Sequence, residues 1–282
     1  LVSFKDWPVE WQGRPRDPHV APNGDVWFCG QVNNYLAKLN PKTGDMTKFD
    51  VLDGSHPHNL LVDNRGNVWY AGNKNAHIGM LMPKTKKIIK YEMPKGVSDP
   101  HTLVFDQLGD IWFTAQHSNV IGRLSIRSGQ VMAVKAETER ARPYGIKIDK
   151  YNQPWSVLVG TNKLATVDSK SMKLTEISLP REDAQPRRLE ITSNGNIWYV
   201  DYAKGFLGRY QPKTKSFKEW PMPSGDGSYP YGTALDSANR IWIAETGQAP
   251  NTMVIFDTEK EKFISKSAVS YTHLTLPTKR IV

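Results

Sequence analysis

Apolar residues along this chain fall in short runs, each closed within a few positions by Gly, Asn, Asp or Pro. The runs are rich in β-branched and aromatic side chains, as in Val26-Trp27-Phe28, Ile111-Trp112-Phe113 and Ile197-Trp198-Tyr199. None keeps a helical period over a dozen positions, so the pattern predicts strands joined by tight turns. One run recurs: a turn, an apolar residue, then a tryptophan. These tryptophans stand at 27, 69, 112, 155, 198 and 242, at intervals of 42, 43, 43, 43 and 44 residues. A period of that length marks a repeat architecture, and four short strands per period make the blade of a β-propeller. One large aromatic at a fixed place per blade suits packing between neighbouring sheets. A solenoid of stacked hairpins is the rival all-β arrangement.

The remainder of the unit recurs as well. A Pro-X pair opens it: Pro18-His19, Pro57-His58, Pro100-His101, Pro143-Tyr144, Pro186-Arg187 and Pro230-Tyr231. A third strand follows the tryptophan strand, as in Ile121-Gly122-Arg123-Leu124, then a turn and a closing strand, as in Phe217-Lys218-Glu219-Trp220. Phe4-Lys5-Asp6-Trp7-Pro8 is similar to Phe217 to Pro221, so residues 1–10 are expected to supply a closing outer strand. The reading is therefore a β-propeller over residues 1–266, seven-bladed in architecture with six four-stranded repeats present. A six-bladed ring completed by the N-terminal strand is the alternative. Residues 267–282 match nothing in the repeat, resemble translated sequencing adapter, and are expected to be a non-native or unstructured tail.

Composition narrows the function classes. With 39% hydrophobic and 23% charged residues and a mean hydropathy of −0.53, the chain is globular in composition, and no apolar run approaches a membrane span. The net charge of +9 is spread through turns such as Lys42, Lys84 and Lys213, without the dense basic block that nucleic-acid binding would use. The single cysteine, Cys29, forms no internal disulfide and reads as a buried thiol. No Gly-rich phosphate loop, zinc-ligand spacing or nucleophile elbow is present.

In a four-stranded blade the loops before strand one and after strand two lie on the same face, so the Pro-X positions gather at one mouth of the central channel. The expected ring is His19, His58, His101, Tyr144, Arg187 and Tyr231, joined by the strand-two ends Gln31, Asn73, Gln116, Asp201 and Glu245. His19, His58, His101 and Tyr231 are the candidates for proton transfer. Tyr144, Arg187, Gln31, Asn73 and Gln116 are the candidates for substrate contact. Asp201 and Glu245 are the candidate metal pair, or else ion-pair partners of Arg187 or Arg188. His56, His77 and His117 fall in predicted loops of the same face. The expected partner is a small molecule in the channel of a monomer.

The units Pro-His-x-Leu, Gly-Asp-Ile-Trp-Phe-Thr (109–114) and Asn-Val-Ile-Gly-Arg-Leu (119–124) resemble the virginiamycin B lyase (streptogramin lyase) family, over nearly all of residues 4–266. The resemblance implies an exported (periplasmic or secreted) seven-bladed propeller that opens a cyclic depsipeptide by elimination at an ester. It implies Mg²⁺ to steady the enolate and a histidine for proton transfer. This chain departs from that pattern: Tyr231 stands where the pattern has a catalytic histidine, and His19 where it has a substrate-side tyrosine. The family's remaining catalytic His and Glu residues belong to a seventh unit. Two functions are thus expected: a lyase-like propeller acting on a cyclic ester or lactone, or a non-catalytic propeller that binds or senses a small ligand or peptide.

Overall fold

The structure, a computed structural model, describes residues 5–268. These form six four-stranded antiparallel sheets, each with its strands in sequence order. Blade one comprises β1 Pro15–Val20, β2 Val26–Gly30, β3 Tyr35–Leu39 and β4 Met46–Asp50. Blade two comprises β5 Pro57–Val62, β6 Val68–Gly72, β7 His77–Met82 and β8 Lys87–Glu92. Blade three comprises β9 Pro100–Phe105, β10 Ile111–Ala115, β11 Val120–Leu124 and β12 Val131–Lys135. Blade four comprises β13 Pro143–Ile148, β14 Pro154–Leu158, β15 Lys163–Val167 and β16 Leu174–Ser178. Blade five comprises β17 Pro186–Ile191, β18 Ile197–Asp201, β19 Phe206–Gln211 and β20 Ser216–Pro221. Blade six comprises β21 Pro230–Leu235, β22 Arg240–Glu245, β23 Thr252–Asp257 and β24 Lys262–Ala268. Each first strand packs beside the next (β1, β5, β9, β13, β17, β21), so the blades stand side by side in a propeller. Among the described residues no helix is long and apolar enough to cross a membrane.

The repeated tryptophan fills the space between sheets, as expected. Trp69 of blade two packs with Leu103, Ile111 and Phe113 of blade three, and Trp112 packs with Ile146, Leu158 and Ala165 of blade four. Both are essentially buried, whereas Trp242 of blade six is only partly buried, having no described sheet against its outer face. The residue after the tryptophan lies under the third strand. Phe113 pairs with Gly122, where a Cβ would sit 2.3 Å from the ring; Tyr199 and Gly208 repeat this at 2.1 Å. This close approach explains why the third strand reads Ile-Gly-Arg-Leu in the clearest unit.

An aspartate six residues before the tryptophan is a part of the unit that periodicity alone did not single out. The indole Nε1 of Trp112 donates to Asp106 Oδ2 at 3.1 Å, and the pairs Trp69–Asp63, Trp155–Asp149 and Trp242–Asp236 repeat the bond. Thr192 takes the role for Trp198, while Ala21 occupies the position in blade one. Asp106 Oδ1 also accepts the backbone N–H groups of Leu108 and Asp110, so one carboxylate closes the turn and anchors the indole. Asp106→Ala should destabilise the fold by about 2–3 kcal/mol, read as a lower urea midpoint, because three donors lose their acceptor in a buried setting. A change within about 0.5 kcal/mol, the usual range for an exposed surface site, would reject this account.

The ends refine the expected boundaries. Lys5–Arg14 runs without a strand, and its Trp7, Val9 and Trp11 cover Phe28, Tyr35, Ala37 and Leu39 of blade one. The partner strands that a closing role for residues 1–10 requires are not among the six described sheets. At the other end β24 extends through Ser267 and Ala268, two residues into the expected tail. The rest of that tail, 269–282, lies outside the described residues.

Candidate functional site

Each first strand opens on a proline that pairs with the end of the second strand, and an irregularity in register follows at once. Such a bulge re-aims the side chains at the break. Pairing fixes which residues are equivalent. Pro15 faces Gly30 as Pro57 faces Gly72, Pro143 faces Leu158 and Pro186 faces Asp201. The mouth residue of blade one is therefore Arg16. His19, expected in the ring, instead pairs with Trp27 three positions further along the strand, as Leu61 pairs with Trp69. The sequence carried the signal: in every unit the opening proline stands 12 residues before the tryptophan, and in the first unit that proline is Pro15. Pro18 lies in the same strand and drew the reading off register. Burial, with the Lys147 charge second, lowers the pKa of His19.

The mouth that results is a continuous polar and aromatic belt. His58 and His101 lie in tilted contact with ring centroids 3.7 Å apart, and His101 meets Tyr144 at 4.3 Å. Tyr144 and Tyr231 share a hydrogen bond of 2.7 Å between their hydroxyls across blades four and six. Asp17, beside Arg16, receives Arg188 at 3.2 Å, Arg16 at 3.4 Å and faces His58 Nδ1 at 3.4 Å. Arg188 also reaches Thr102 Oγ1 at 3.5 Å, so one guanidinium from blade five touches blades one and three. Arg187 stands over three phenol rings, with its Cζ 4.3 Å from Tyr202, 4.6 Å from Tyr231 and 5.2 Å from Tyr144. Asp17, Thr102, Arg188 and Tyr202 were absent from the expected ring. The first three follow the mouth residue within the bulge, and Tyr202 follows the end of β18.

Burial sets the protonation of the belt. His58 is driven down to about 2, first by desolvation and then by the charges of Arg16 and Arg188. Desolvation likewise holds His101 well below the usual imidazole range, with His58 and Arg188 adding to it. Both rings are neutral. Tyr144 is raised, chiefly by burial and then by Tyr231. Tyr231 moves the other way: burial pushes its phenol up, but the Arg188 charge and the hydrogen bond with Tyr144 outweigh it and leave the group lowered. Either hydroxyl can donate the shared bond, and the Arg188 charge favours the acceptor role at Tyr231.

The strand-two ends do other work. Gln31 accepts a hydrogen bond from Arg16 at 3.0 Å, and Asn73 donates to the carbonyl of Pro100 at 3.1 Å. The Gln116 side chain is half-buried with no hydrogen bond to a described residue. Asp201 is fully buried; it accepts the backbone N–H of Gln185 and Ala203 and pairs with Arg181 at 2.5 Å. Glu245 is fully buried against the backbone N–H and hydroxyl of Ser224. Neither meets Arg187 or Arg188. These carboxylates order the loops beside them, and Asp99 does the same for His117 and Ser118 in blade three. The Mg²⁺ implied by the resemblance does not fit them: their oxygens are taken up by donors, and no group of three His, Cys, Asp or Glu able to hold a metal ion exists among the described residues. His77, expected in a loop, begins β7 and is buried against Tyr70. A groove of about 850 Å³ lies elsewhere, between the strand-one turns of blades two and three, lined by Trp69, Tyr91 and Phe105.

Comparison with known proteins agrees with this architecture. A streptogramin B lyase structure superposes with a TM-score of 0.85 at 22% identity, covering 94% of this chain and 87% of that one. Virginiamycin B lyase from Staphylococcus aureus gives 0.82 at 21%, covering 92% and 86%. A catalytically inactive form of the S. aureus enzyme with quinupristin gives 0.75 at 24%, covering 85% and 80%. These likenesses carry the fold alone. A search of curated proteins finds no match. The Virginiamycin B lyase family profile matches residues 3–251, most of the chain, and this protein belongs to that family.

Proposed function

We propose that this propeller takes a small cyclic ester or lactone into the mouth of its channel and opens it by carbon–oxygen elimination, with Tyr231 as the proton acceptor. The observation that carries this reading is the 2.7 Å hydrogen bond between the hydroxyls of Tyr231 and Tyr144 beside the Arg188 guanidinium, whose positive charge draws the Tyr231 phenol down. A proton α to a carbonyl passes to the Tyr231 phenolate. The electron pair forms a carbon–carbon double bond, the bond from the β carbon to the ester oxygen breaks, and the ester leaves as a carboxylate. Arg187 and Arg188 stand near the negative charge that develops. No step is routed through a metal, and His58 and His101 line the mouth as neutral imidazoles in ring contact.

The test is turnover of a streptogramin B-type cyclic depsipeptide and of simple lactones, with and without added Mg²⁺. Tyr231→Phe should lower kcat by about 10²-fold or more, the usual loss of a general base. A wild-type protein that binds such a ligand and leaves it intact defeats the elimination. The second reading, a non-catalytic binding or sensor propeller, is favoured by the engagement of Asp201 and Glu245 in loop ordering.

A further inference from the structure

Among the described residues, Arg187 is the one belt arginine without a polar partner. Its face is covered by Tyr144, Tyr202 and Tyr231, so what it offers is its edge of N–H donors. Its Nε is shielded from solvent and has no hydrogen-bond partner among the described residues. The other two belt arginines are engaged, Arg16 with Gln31 and Asp17, Arg188 with Asp17 and Thr102. The fully buried carboxylates at the strand-two ends belong to Arg181 and Ser224. The belt thus holds three guanidinium groups and one carboxylate, Asp17, which pairs with Arg16 and Arg188 and leaves Arg187 over its tyrosine rings. Arg187 is half-buried, so its shielded Nε is costly to leave unpaired while its outer donors stay open to an incoming oxyanion.

We infer that the mouth carries a carboxylate subsite built on Arg187, and that its ligand is an organic carboxylate with an aromatic or apolar body. The planar fork of a guanidinium matches a carboxylate with two parallel hydrogen bonds. The body has a platform: Tyr229 is 44% exposed and packs at a tilt against Tyr202 with centroids 5.3 Å apart, on the ring that carries Arg187. The inference rests on the mouth being a ligand site, and it stands whether or not Tyr231 removes a proton. If elimination does occur, the released carboxylate is the group that Arg187 receives.

The experiment is calorimetry of the full chain with phenylacetate, its neutral isostere phenylacetamide, and inorganic phosphate. Phenylacetate should bind about tenfold or more tightly than the amide, as expected for charge-assisted hydrogen bonds to an otherwise unpaired guanidinium. Arg187→Gln should remove that preference, and Arg187→Lys should restore part of it, as a point charge without the fork. The comparison of acid with amide needs no variant, so it holds even if a substitution unfolds the protein. Equal affinity for acid and amide, no saturable heat with phenylacetate, or tighter binding of phosphate would each overturn the assignment. Failure to open a cyclic ester would sink the elimination and leave this result standing.

Discussion

Below pH 6.5 the protein should lose stability steeply, and most of the steepness should trace to His58 and His101. Their folded-state pKa values lie far below the ordinary 6.5, His58 at about 2. Protons therefore bind the unfolded chain first. The stability is intact above the unfolded pKa and is lost as pH falls below it. Each imidazole contributes a slope of about 1.4 kcal/mol per pH unit across that window, so two together remove about 5 kcal/mol between pH 6.5 and 4.5. The cause is physical crowding of charge: a proton on either ring would sit in a buried ring pair facing Arg16 and Arg188, with the Asp17 carboxylate 3.4 Å from His58 Nδ1 as partial compensation. Urea midpoints across that pH range measure it. The double variant His58→Gln, His101→Gln should flatten the curve to the share left by His77 and His19, whose pKa values burial also lowers. An unchanged slope in the double variant would mean that these rings titrate freely in the folded state.

The blades were legible because they repeat a packing requirement. A tryptophan wedged between sheets is needed once per blade at the same height, so its spacing survives where turns and surface residues drift. The strand-three glycine and the aspartate anchoring the indole are equally regular, yet they become meaningful only once the indole and the ring over Gly122 are seen in place. The mouth was legible only in part. His58, His101, Tyr144, Arg187 and Tyr231 follow their prolines in a uniform way, whereas Pro15 and Pro18 offered two starts for one strand. Distance to Trp27 decides between them. Asp17 and Arg188 could not be paired from sequence, since a bulge turns each inward and they meet across the channel. Asp201 and Glu245 end β18 and β22, but their role depends on which backbone N–H groups the loops present, and that is a property of loop conformation.

The cross-channel contact leads to the other large effect. Arg188→Met should destabilise the fold by about 2–3 kcal/mol, less than the usual loss from stripping one partner from a fully buried ion pair, because the pair is partly exposed and Asp17 keeps Arg16. The guanidinium leaves Asp17 and Thr102 and also the rings of Tyr144 and Tyr231, over which its Cζ lies at 5.1 Å and 5.5 Å. Asp17→Asn removes the carboxylate instead and leaves Arg16 and Arg188 facing each other without it. The two losses should not add. Removing both partners in Arg188→Met, Asp17→Asn, which returns the cluster to its original net charge, should recover about 1.5 kcal/mol or more of their sum, a coupling expected only for groups in direct contact. The same substitution carries a chemical readout. Since the Arg188 charge is the largest influence that lowers Tyr231 against its burial, Arg188→Met should shift the tyrosinate absorbance change to higher pH and slow any reaction that uses the phenolate. Additive stabilities with an unmoved tyrosine titration would make Arg188 a bystander. Coupling together with a raised titration would tie one side chain both to the closure of the channel and to the reactivity of its mouth.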